Sequence, residues 1–255
     1  MSDQANKARA FHALHVPGRP LVLFNVWDPG SAKAVTEAGA KALATGSWSV
    51  AAANGYGDGE KIPLDLALGN LARIVAATAL PVSVDIESGY GKTPEEVGQT
   101  IARTIEAGAV GCNLEDSFPE NGTLRETAEQ VQRIRHARKA AEQAGISYFI
   151  NARTDVFFQR PAEQHDAAMV EAAIARVRAY ADAGASGIFA PGLVDRALIA
   201  RLAAASPLPL NVMVSKGTPG LSILAEVKVA RVSHGPGPYL TAMRSLTEAA
   251  RAAMA

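Results

Sequence analysis

The sequence has a single cysteine, no excess of either charge and no long apolar run, and each of these absences excludes a class of protein. Cys112 stands alone among 255 residues, so an intrachain disulfide and a cysteine-based zinc cluster are excluded, and a reducing compartment is indicated. Lysine plus arginine balance aspartate plus glutamate at 25 each. Without a block of one sign, neither nucleic acid nor an acidic membrane surface is the expected partner. The expected partner is therefore a small molecule.

The apolar segments are too short to cross a bilayer, for which about 20 residues are needed. The N-terminal stretch is polar and interrupted by Pro17 and Pro20, so it has no signal-peptide apolar segment. We therefore expect a soluble, cytoplasmic protein without a membrane partner. With 48% hydrophobic residues the chain can bury a large core. Because no linker rich in proline, glycine or serine divides it, residues 1–255 are predicted to form one domain.

Eight short apolar runs alternate with stretches whose apolar residues recur every three or four positions. The runs are "PLVLFNVW" (20–27), "KALATGS" (41–47), "LPVSVDIE" (80–87), "GCNLEDS" (111–117), "YFINARTD" (148–155), "GIFAPGL" (187–193), "PLNVMV" (209–214) and "ARVSHGP" (230–236). Regular alternation of this kind predicts a parallel sheet covered by helices. Eight units favour closure into a (β/α)8 TIM barrel. The alternative is a doubly wound open sheet, but "FNVWDPGSAK" lacks the glycine-rich dinucleotide loop of that fold.

Helix boundaries are marked by local sequence signals. Thr93 followed by Pro94, Glu95 and Glu96 is typical of a helix N-cap, with proline at the first helical position and acids in the first turn. Repeated "EAGA"-like endings predict helix C-termini, because glycine adopts the left-handed cap at little cost. The glycines concerned are Gly39, Gly108, Gly145 and Gly184.

Polar residues collect where the predicted strands end, which is where barrel enzymes place their chemistry. Asp85 and Glu87 occupy alternate positions of a strand and should point to one side. Glu115 and Arg153 follow on the next two strands. Acids beside an arginine indicate a divalent cation facing an anionic substrate. Oxygen ligands without histidine or cysteine favour Mg2+ or Mn2+ over zinc.

Structural interpretations of these residues stay open on the sequence alone. Asp85 and Glu87 could be loop acids that pair with Lys92 or Arg103, and Arg153 could be a structural bridge to Glu115. His234, near a strand end, is more typical of a hydrogen-bonded structural group. Cys112 lies within an apolar strand and is expected to be core filler. Trp48 is expected to close the pocket or a subunit contact.

Several stretches together resemble the isocitrate lyase and phosphoenolpyruvate mutase superfamily. They are "LFNVWDPGSAKAVTEAGAKALATGS", "VSVDIESGYG", "GCNLEDS", "INARTDVF" and "RVSHGPGPY", in the order of that superfamily over nearly the whole chain. The resemblance implies a (β/α)8 barrel that uses Mg2+ to bind a 2-oxo acid and makes or breaks a C–C or P–C bond through an enolpyruvate-like intermediate. It also implies a homo-oligomer: dimers that exchange the last helix, assembled into tetramers.

The resemblance implies roles for individual residues. Asp85 would be the main Mg2+ ligand, with Glu87 and Glu115 holding the metal through waters, and Asp58 of "GYGDGE" would help to close the metal site. In the substrate site, Arg153 would neutralise the carboxylate and Asn211 would reach the substrate from strand 7. The segment that receives the carboxylate and oxo oxygen would be Thr45, Gly46 and Ser47, with a register uncertain by one residue because of Trp48.

The departures from that superfamily narrow the expected reaction. C–C lyases carry a loop cysteine after strand 4 as general acid, whereas "FPENGTLRETAEQ" here has no cysteine, lysine or histidine. The glutamate that lyases carry after strand 6 is also missing, with Pro191 nearby in "FAPGL". Asn121 matches a residue of the mutase and phosphonopyruvate hydrolase branches, but its lysine companion is absent.

We therefore predict a Mg2+-dependent lyase of a small 2-oxo acid, with oxaloacetate-type decarboxylation ahead of C–C cleavage of a longer substrate. Carbon dioxide leaves without a loop acid, and water can protonate the enolate. The alternatives are P–C chemistry of the phosphonopyruvate hydrolase or mutase kind and a non-catalytic binder of 2-oxo acids.

Overall fold

The computed structural model describes residues 3–255 and shows eight parallel strands surrounded by helices. The strands are β1 (Leu21–Leu23), β2 (Leu43–Ala44), β3 (Val82–Asp85), β4 (Gly111–Glu115), β5 (Phe149–Arg153), β6 (Gly187–Phe189), β7 (Leu210–Met213) and β8 (Arg231–Ser233). Each is shorter than the apolar run that predicts it. The difference arises because the last residues of each run belong to the loop that carries the polar side chains.

Ten α-helices accompany these strands in the described part of the chain. They are α1 (Asp3–Ala13), α2 (Pro29–Glu37), α3 (Ser47–Ala53), α4 (Leu64–Ala76), α5 (Pro94–Glu106), α6 (Thr127–Gln143), α7 (Ala167–Asp182), α8 (Arg196–Ala205), α9 (Leu221–Glu226) and α10 (Gly237–Met254). Two 3-10 turns, Asp155–Phe158 and Ala162–Gln164, follow β5. Helical residues therefore separate every pair of consecutive strands.

The sheet closes into a barrel. Its hydrogen-bonded order runs β1-β8-β7-β6-β5-β4-β3-β2, with every pair parallel. The two ends of this order meet through a parallel bridge between Val26 and Thr45, where the Val26 amide donates to the Ala44 carbonyl. The predicted (β/α)8 barrel is confirmed, and the doubly wound alternative, which would leave an open sheet, is wrong.

The predicted helix signals are confirmed at α5 and at the glycine-terminated helices. The Thr93 hydroxyl accepts from the Glu96 amide, and the Glu96 carboxylate accepts from the Thr93 amide, forming a capping box before Pro94. Glycines with positive φ follow the ends of α2, α5, α6 and α7, at Gly39, Gly108, Gly145 and Gly184. Cys112 is fully buried in the core, as predicted.

Helix α10 is the longest helix of residues 3–255, but it buries little of its surface. Only Pro238 of α10 is buried, and Leu240 and Leu246 are half or more exposed. On the barrel itself, Val22 and Phe24 near β1 are also exposed, beside an apolar groove that borders α2. No helix among residues 3–255 is both long and apolar enough to cross a membrane.

Asp116, directly after β4, connects the ends of β4 and β5 to α7. One carboxylate oxygen accepts from the Asp155 amide at 2.8 Å, and the other accepts from the Tyr180 hydroxyl at 2.7 Å and from Arg176 at 3.1 Å. Asp116 is fully buried, so these donors replace the water that its charge would otherwise bind. The network holds the strand ends of the site in place.

Replacing Tyr180 by phenylalanine should therefore destabilise the fold. The change leaves one oxygen of a buried carboxylate with one donor fewer, and a hydrogen bond to a charged group contributes about 1.5–3 kcal/mol. Urea unfolding of Tyr180→Phe beside the exposed control Tyr56→Phe measures the difference. Equal stabilities of the two variants would show that Asp116 does not depend on this donor.

Candidate active site

A cavity of about 180 Å3 lies at the carboxyl ends of the strands. Its lining combines a polar floor with apolar walls: Asn25, Gly46, Ser47, Trp48, Asp58, Asp85, Asn113, Arg153, Phe158, Phe189, Pro191, Met213, Ser233, Gly235 and Pro236. Three surface clefts, of about 660, 720 and 500 Å3, are larger, but none of them is lined by Asp85 or Arg153. The chemistry-bearing side chains, rather than cavity size, therefore locate the candidate site.

Asp85, the last residue of β3, has one anchored and one unpartnered carboxylate oxygen. Its Oδ2 accepts from the amide and hydroxyl of Ser47, at 3.1 and 2.9 Å. The Asp85 amide in turn donates to the Thr45 hydroxyl at 2.9 Å. Its Oδ1 is buried and accepts from no group of the described residues. Because a buried unpartnered carboxylate oxygen is costly, this oxygen has the environment of an atom that binds a ligand.

Glu87 fixes the loop that carries Asp58. The Glu87 Oε2 accepts from the amides of Gly59 and Glu60 at 2.8 Å each, so the residues next to Asp58 are held against the end of β3. Burial, and then the nearby Asp58 and Asp85, raise the pKa of Glu87 to about 7. Among the described residues, its Oε1 accepts from the Tyr90 hydroxyl alone, at 3.4 Å. It is the oxygen through which Glu87 could reach a hydrated cation.

The prediction that Asp85 and Glu87 point to the same side of one strand is wrong. Strand alternation does not place Glu87 beside Asp85, because β3 ends at Asp85 and Glu87 has the left-handed φ of 52°. Such a conformation is unfavourable for a residue other than glycine and is found where a side chain must be aimed. Neither Lys92 nor Arg103 pairs with these acids within residues 3–255, since Arg103 pairs with Asp65.

Arg153, at the end of β5, is surrounded by two carboxylates. Its Nη1 lies 2.6 Å from Glu115, and its Nε and Nη2 donate to Asp155 at 2.6 and 3.1 Å. Burial opposes the charge, but Glu115 and Asp155 raise the pKa of Arg153 above its usual range. Arg153 thus forms the predicted structural bridge to Glu115 and also lines the cavity, where its remaining N–H groups can face an anion.

The acids outnumber the cation, which fits a site for a hard metal ion. Burial and, after it, crowding by other carboxylates raise the pKa of Glu115 well above its usual value, despite Arg153. Loss of hydration and the neighbouring Asp85 raise the pKa of Asp58, although that residue lies on an exposed loop. No three histidine, cysteine or acidic side chains in residues 3–255 form a ready-made cage. Mg2+ accepts such a site, because it can bind one carboxylate directly and keep water molecules as its other ligands.

The structure brings some of the predicted site residues to the cavity and leaves others behind it. Gly46, Ser47 and Asp58 line the cavity together with Asp85 and Arg153. Thr45 lies behind Asp85 and supports its backbone. Asn211 is buried in the barrel interior, where its Oδ1 accepts from Ser233, and it does not line the cavity. Trp48 lines the cavity, which agrees with its predicted role of closing the pocket.

Sequence reasoning placed Asn113 and Asp155 at strand ends but assigned neither a role in the site, and of the apolar wall it expected Trp48 alone at the pocket. Asn113 precedes Glu115 by two residues on β4, so strand alternation alone could have placed it on the same face. The sequence could not predict that Asp155 pairs with Arg153, because the turn after β5 brings the two side chains together. The apolar wall residues come from five separate β/α units, and only the closed barrel brings them together: Trp48, Phe158, Phe189, Pro191, Met213 and Pro236.

The segment after β4 folds into a compact turn and provides no acid for the cavity. Ser117 pairs with Leu124 across the turn, and the Phe118 amide donates to the Thr123 carbonyl. Asn121 caps this turn, because its Oδ1 accepts from the amide and hydroxyl of Thr123. Asn121 is exposed and does not line the cavity.

Comparison with known proteins agrees with this geometry. The phosphoenolpyruvate phosphomutase family model matches residues 11–254. The chain belongs to the isocitrate lyase and phosphoenolpyruvate mutase superfamily. The crystal structure of a "putative phosphonomutase" from Burkholderia cenocepacia J2315 is 58% identical, with a TM-score of 0.96, and the match covers 98% of this chain and 99% of that one.

Two of the curated relatives of this chain are enzymes named after their reactions. The 2-methylisocitrate lyase of Escherichia coli K12 is 30% identical over 251 residues, which cover 95% of this chain and 81% of that protein. An oxaloacetate decarboxylase of Pseudomonas savastanoi pv. phaseolicola is 30% identical over 253 residues, covering 95% and 83%. These relatives are lyases, which supports an enzymatic role for this chain.

The raised pKa of Glu87 predicts that the metal-free protein loses stability as the pH rises from about 4.5 to 7. Between these values the folded state binds more protons than the unfolded chain, whose glutamate has the usual pKa near 4.5, so deprotonation disfavours folding. The loss attributable to Glu87 is at most about 3 kcal/mol. Urea unfolding in EDTA at pH 4.5 and pH 8 measures it.

Glu87→Gln should reduce this pH dependence, and the exposed Glu120→Gln should leave it unchanged. If Glu87→Gln retains the full pH dependence of the parent protein, the carboxyl group that titrates is a different one.

Proposed function

We propose that this protein is a Mg2+-dependent lyase of a small 2-oxo acid, and that it decarboxylates oxaloacetate or a close analogue. The observation that carries the proposal is the division of the cavity into a charged floor, with Asp58, Asp85 and Arg153, and an apolar wall. A 2-oxo acid has its carboxylate and oxo group at one end and the bond to be broken at the other. The two halves of the cavity match these two ends.

Asp85 would hold the ion through Oδ1, with Glu87 and Glu115 reaching it through waters. Mn2+ could take the same place, because both ions prefer oxygen ligands. When bound, the ion would supply a Lewis acid that stabilises negative charge on the 2-oxo oxygen. Ser47 keeps Asp85 oriented through two hydrogen bonds, and Arg153 would attract the substrate carboxylate that stays behind.

The apolar wall favours loss of carbon dioxide. In the described part of the chain, Arg153 is the sole positively charged side chain that lines the cavity, and Glu115 and Asp155 already pair with it. A second substrate carboxylate would therefore lie against Phe158, Phe189 and Met213 without a cation. Since its charge disappears when the C–C bond breaks, such surroundings destabilise the substrate more than the transition state.

The reaction balances without a loop acid. The bond between carbon 3 and the leaving carboxyl carbon breaks, its electron pair passes to the enolate, and carbon dioxide leaves. A proton from water then adds to carbon 3 and gives the 2-oxo acid product. This agrees with the turn at residues 117–125, which has no cysteine, lysine or histidine.

P–C bond chemistry receives less support from the geometry. The asparagine expected for it, Asn121, is held in its own turn by Thr123 and does not line the cavity. A phosphonate would also bring two negative charges to a cavity whose one arginine is already paired. Release of inorganic phosphate from phosphonopyruvate would overturn this preference.

The central test is pyruvate release from oxaloacetate. Purified protein with Mg2+ should produce pyruvate above the background of free Mg2+, and EDTA should abolish the excess. Asp85→Ala should lower kcat/KM at least about 100-fold, since loss of a group that stabilises transition-state charge costs about 3 kcal/mol. The exposed Asp65→Ala should retain the parent rate. Background rates with the parent protein, or full activity in Asp85→Ala, would refute the proposal.

The proposal includes a homo-oligomer in which α10 covers another subunit. Leu246 and Met254 on α10 are 62% and 86% exposed, and Phe24 beside β1 is 44% exposed. Contiguous exposed apolar surface is typical of an interface. An α10 from a partner subunit would bury both surfaces and cover the groove lined by Val22, Phe24 and Val35.

Light scattering after gel filtration should therefore give a mass of at least two chains for the parent protein. Leu240→Glu with Leu246→Glu should shift it towards 26.5 kDa, because buried charges destabilise an apolar interface. Leu221→Glu, on the exposed side of α9, is the control. A monomeric parent protein at micromolar concentration would contradict the oligomer.

A further inference from the structure

The barrel interior below the cavity contains an arginine without a carboxylate partner in hydrogen-bonding contact. Arg231 of β8 is fully buried. Its Nε donates to the Ser233 hydroxyl at 3.2 Å and its Nη2 to Asn113 Oδ1 at 3.3 Å, while Nη1 donates to no group of residues 3–255. Burial lowers the pKa of Arg231 to about 9, so it remains a cation at neutral pH. An aliphatic residue would fill this space without the desolvation cost.

Arg231 determines which way the Asn113 amide faces. An arginine has donors and no acceptor, so the Asn113 atom that faces it must be Oδ1. Asn151 donates to the same oxygen through its Nδ2, at 2.9 Å. With Oδ1 held from within the barrel by two donors, the Nδ2 of Asn113 is turned towards the cavity that Asn113 lines. None of the described hydrogen bonds uses this NH2 group.

The glycine opposite Asn151 preserves this arrangement. Gly187 is the β6 partner of Asn151 in the strand register. A Cβ at position 187 would lie 3.0 Å from Asn151 Oδ1 and 2.8 Å from the Phe149 ring. Both contacts are too short, so an alanine would displace Asn151 from the orientation in which it donates to Asn113.

Asn113 also has the right neighbour for a role in binding. The strand register pairs Asn113 with Asp85 on β3 and with Asn151 on β5. Paired residues of adjacent parallel strands point to the same side and are about 4.8 Å apart. A ligand held beside Asp85 would therefore lie within reach of the Asn113 NH2 group, which is a donor and suits an oxygen anion.

We propose that Asn113 is a substrate-binding residue that donates a hydrogen bond from its side-chain NH2 to an oxygen of the bound 2-oxo acid, and that Arg231 and Asn151 are positioning residues that fix its orientation. This inference rests on the proposed function, because it requires an oxo-acid ligand beside Asp85. It adds a neutral donor beside the charged side chains of Asp58, Asp85 and Arg153.

The test is calorimetric binding of oxalate in the presence of Mg2+, with Mg2+ alone titrated separately. Asn113→Asp keeps the oxygen that Arg231 and Asn151 bind but replaces the donor by an acceptor. We expect it to weaken oxalate binding at least about tenfold without weakening Mg2+ binding. Asn113→Leu, which removes the donor without adding charge, should weaken oxalate similarly, and the exposed Asn6→Leu should not.

The positioning role of Arg231 is tested by two substitutions. Arg231→Met should weaken oxalate binding, whereas Arg231→Lys, which still has only donors, should retain most of the affinity. If both lower the thermal midpoint and neither changes oxalate affinity, Arg231 is structural and its assignment is overturned. Unchanged oxalate affinity in both Asn113 variants overturns the assignment of Asn113. If the parent protein binds no oxalate with Mg2+, the proposed function itself fails, and this inference with it.

Discussion

The candidate site depends on the repulsion between carboxylates that the barrel holds close together. Asp85, Glu87 and Glu115 follow two adjacent strands, and Arg153 is the one cation that lines the cavity among residues 3–255. Burial removes the water that would screen these charges, which raises the pKa of Glu87 and Glu115. Such an excess of buried negative charge is typical of a functional site, and a bound cation would compensate for it.

The surrounding structure keeps these groups in place from behind. Thr45 and Ser47 fix Asp85, the amides of Gly59 and Glu60 fix Glu87, and Asp116 joins the ends of β4 and β5. Most of these contacts connect residues on different β/α units. The precision of the site is therefore a property of barrel closure, because a side chain on one strand is oriented by the loops of its neighbours.

Prediction from sequence succeeded where the signal was local or periodic. The eight strands, the capping box at Thr93 and the strand-end position of Asp85 and Arg153 follow from patterns within short stretches. It failed where backbone conformation departs from regular structure. Glu87 reaches the site through a left-handed turn, which no hydrophobic pattern encodes. Thr45 and Asn211, which the sequence predicts at the substrate, lie behind Asp85 and within the barrel, because hydrogen bonds from neighbouring strands orient them.

The sequence by itself determined the architecture, since the alternation of apolar runs and helical stretches specifies a parallel sheet with eight units, and it also determined which residue types could perform the chemistry. Only the tertiary structure decided which of these residues meet. It placed the side-chain oxygen of Asn113 between Arg231 and Asn151, enclosed Arg153 between Glu115 and Asp155, and assembled the apolar wall from separate loops. The physical reason is that such contacts join residues far apart in the chain, so they exist only after the barrel has closed.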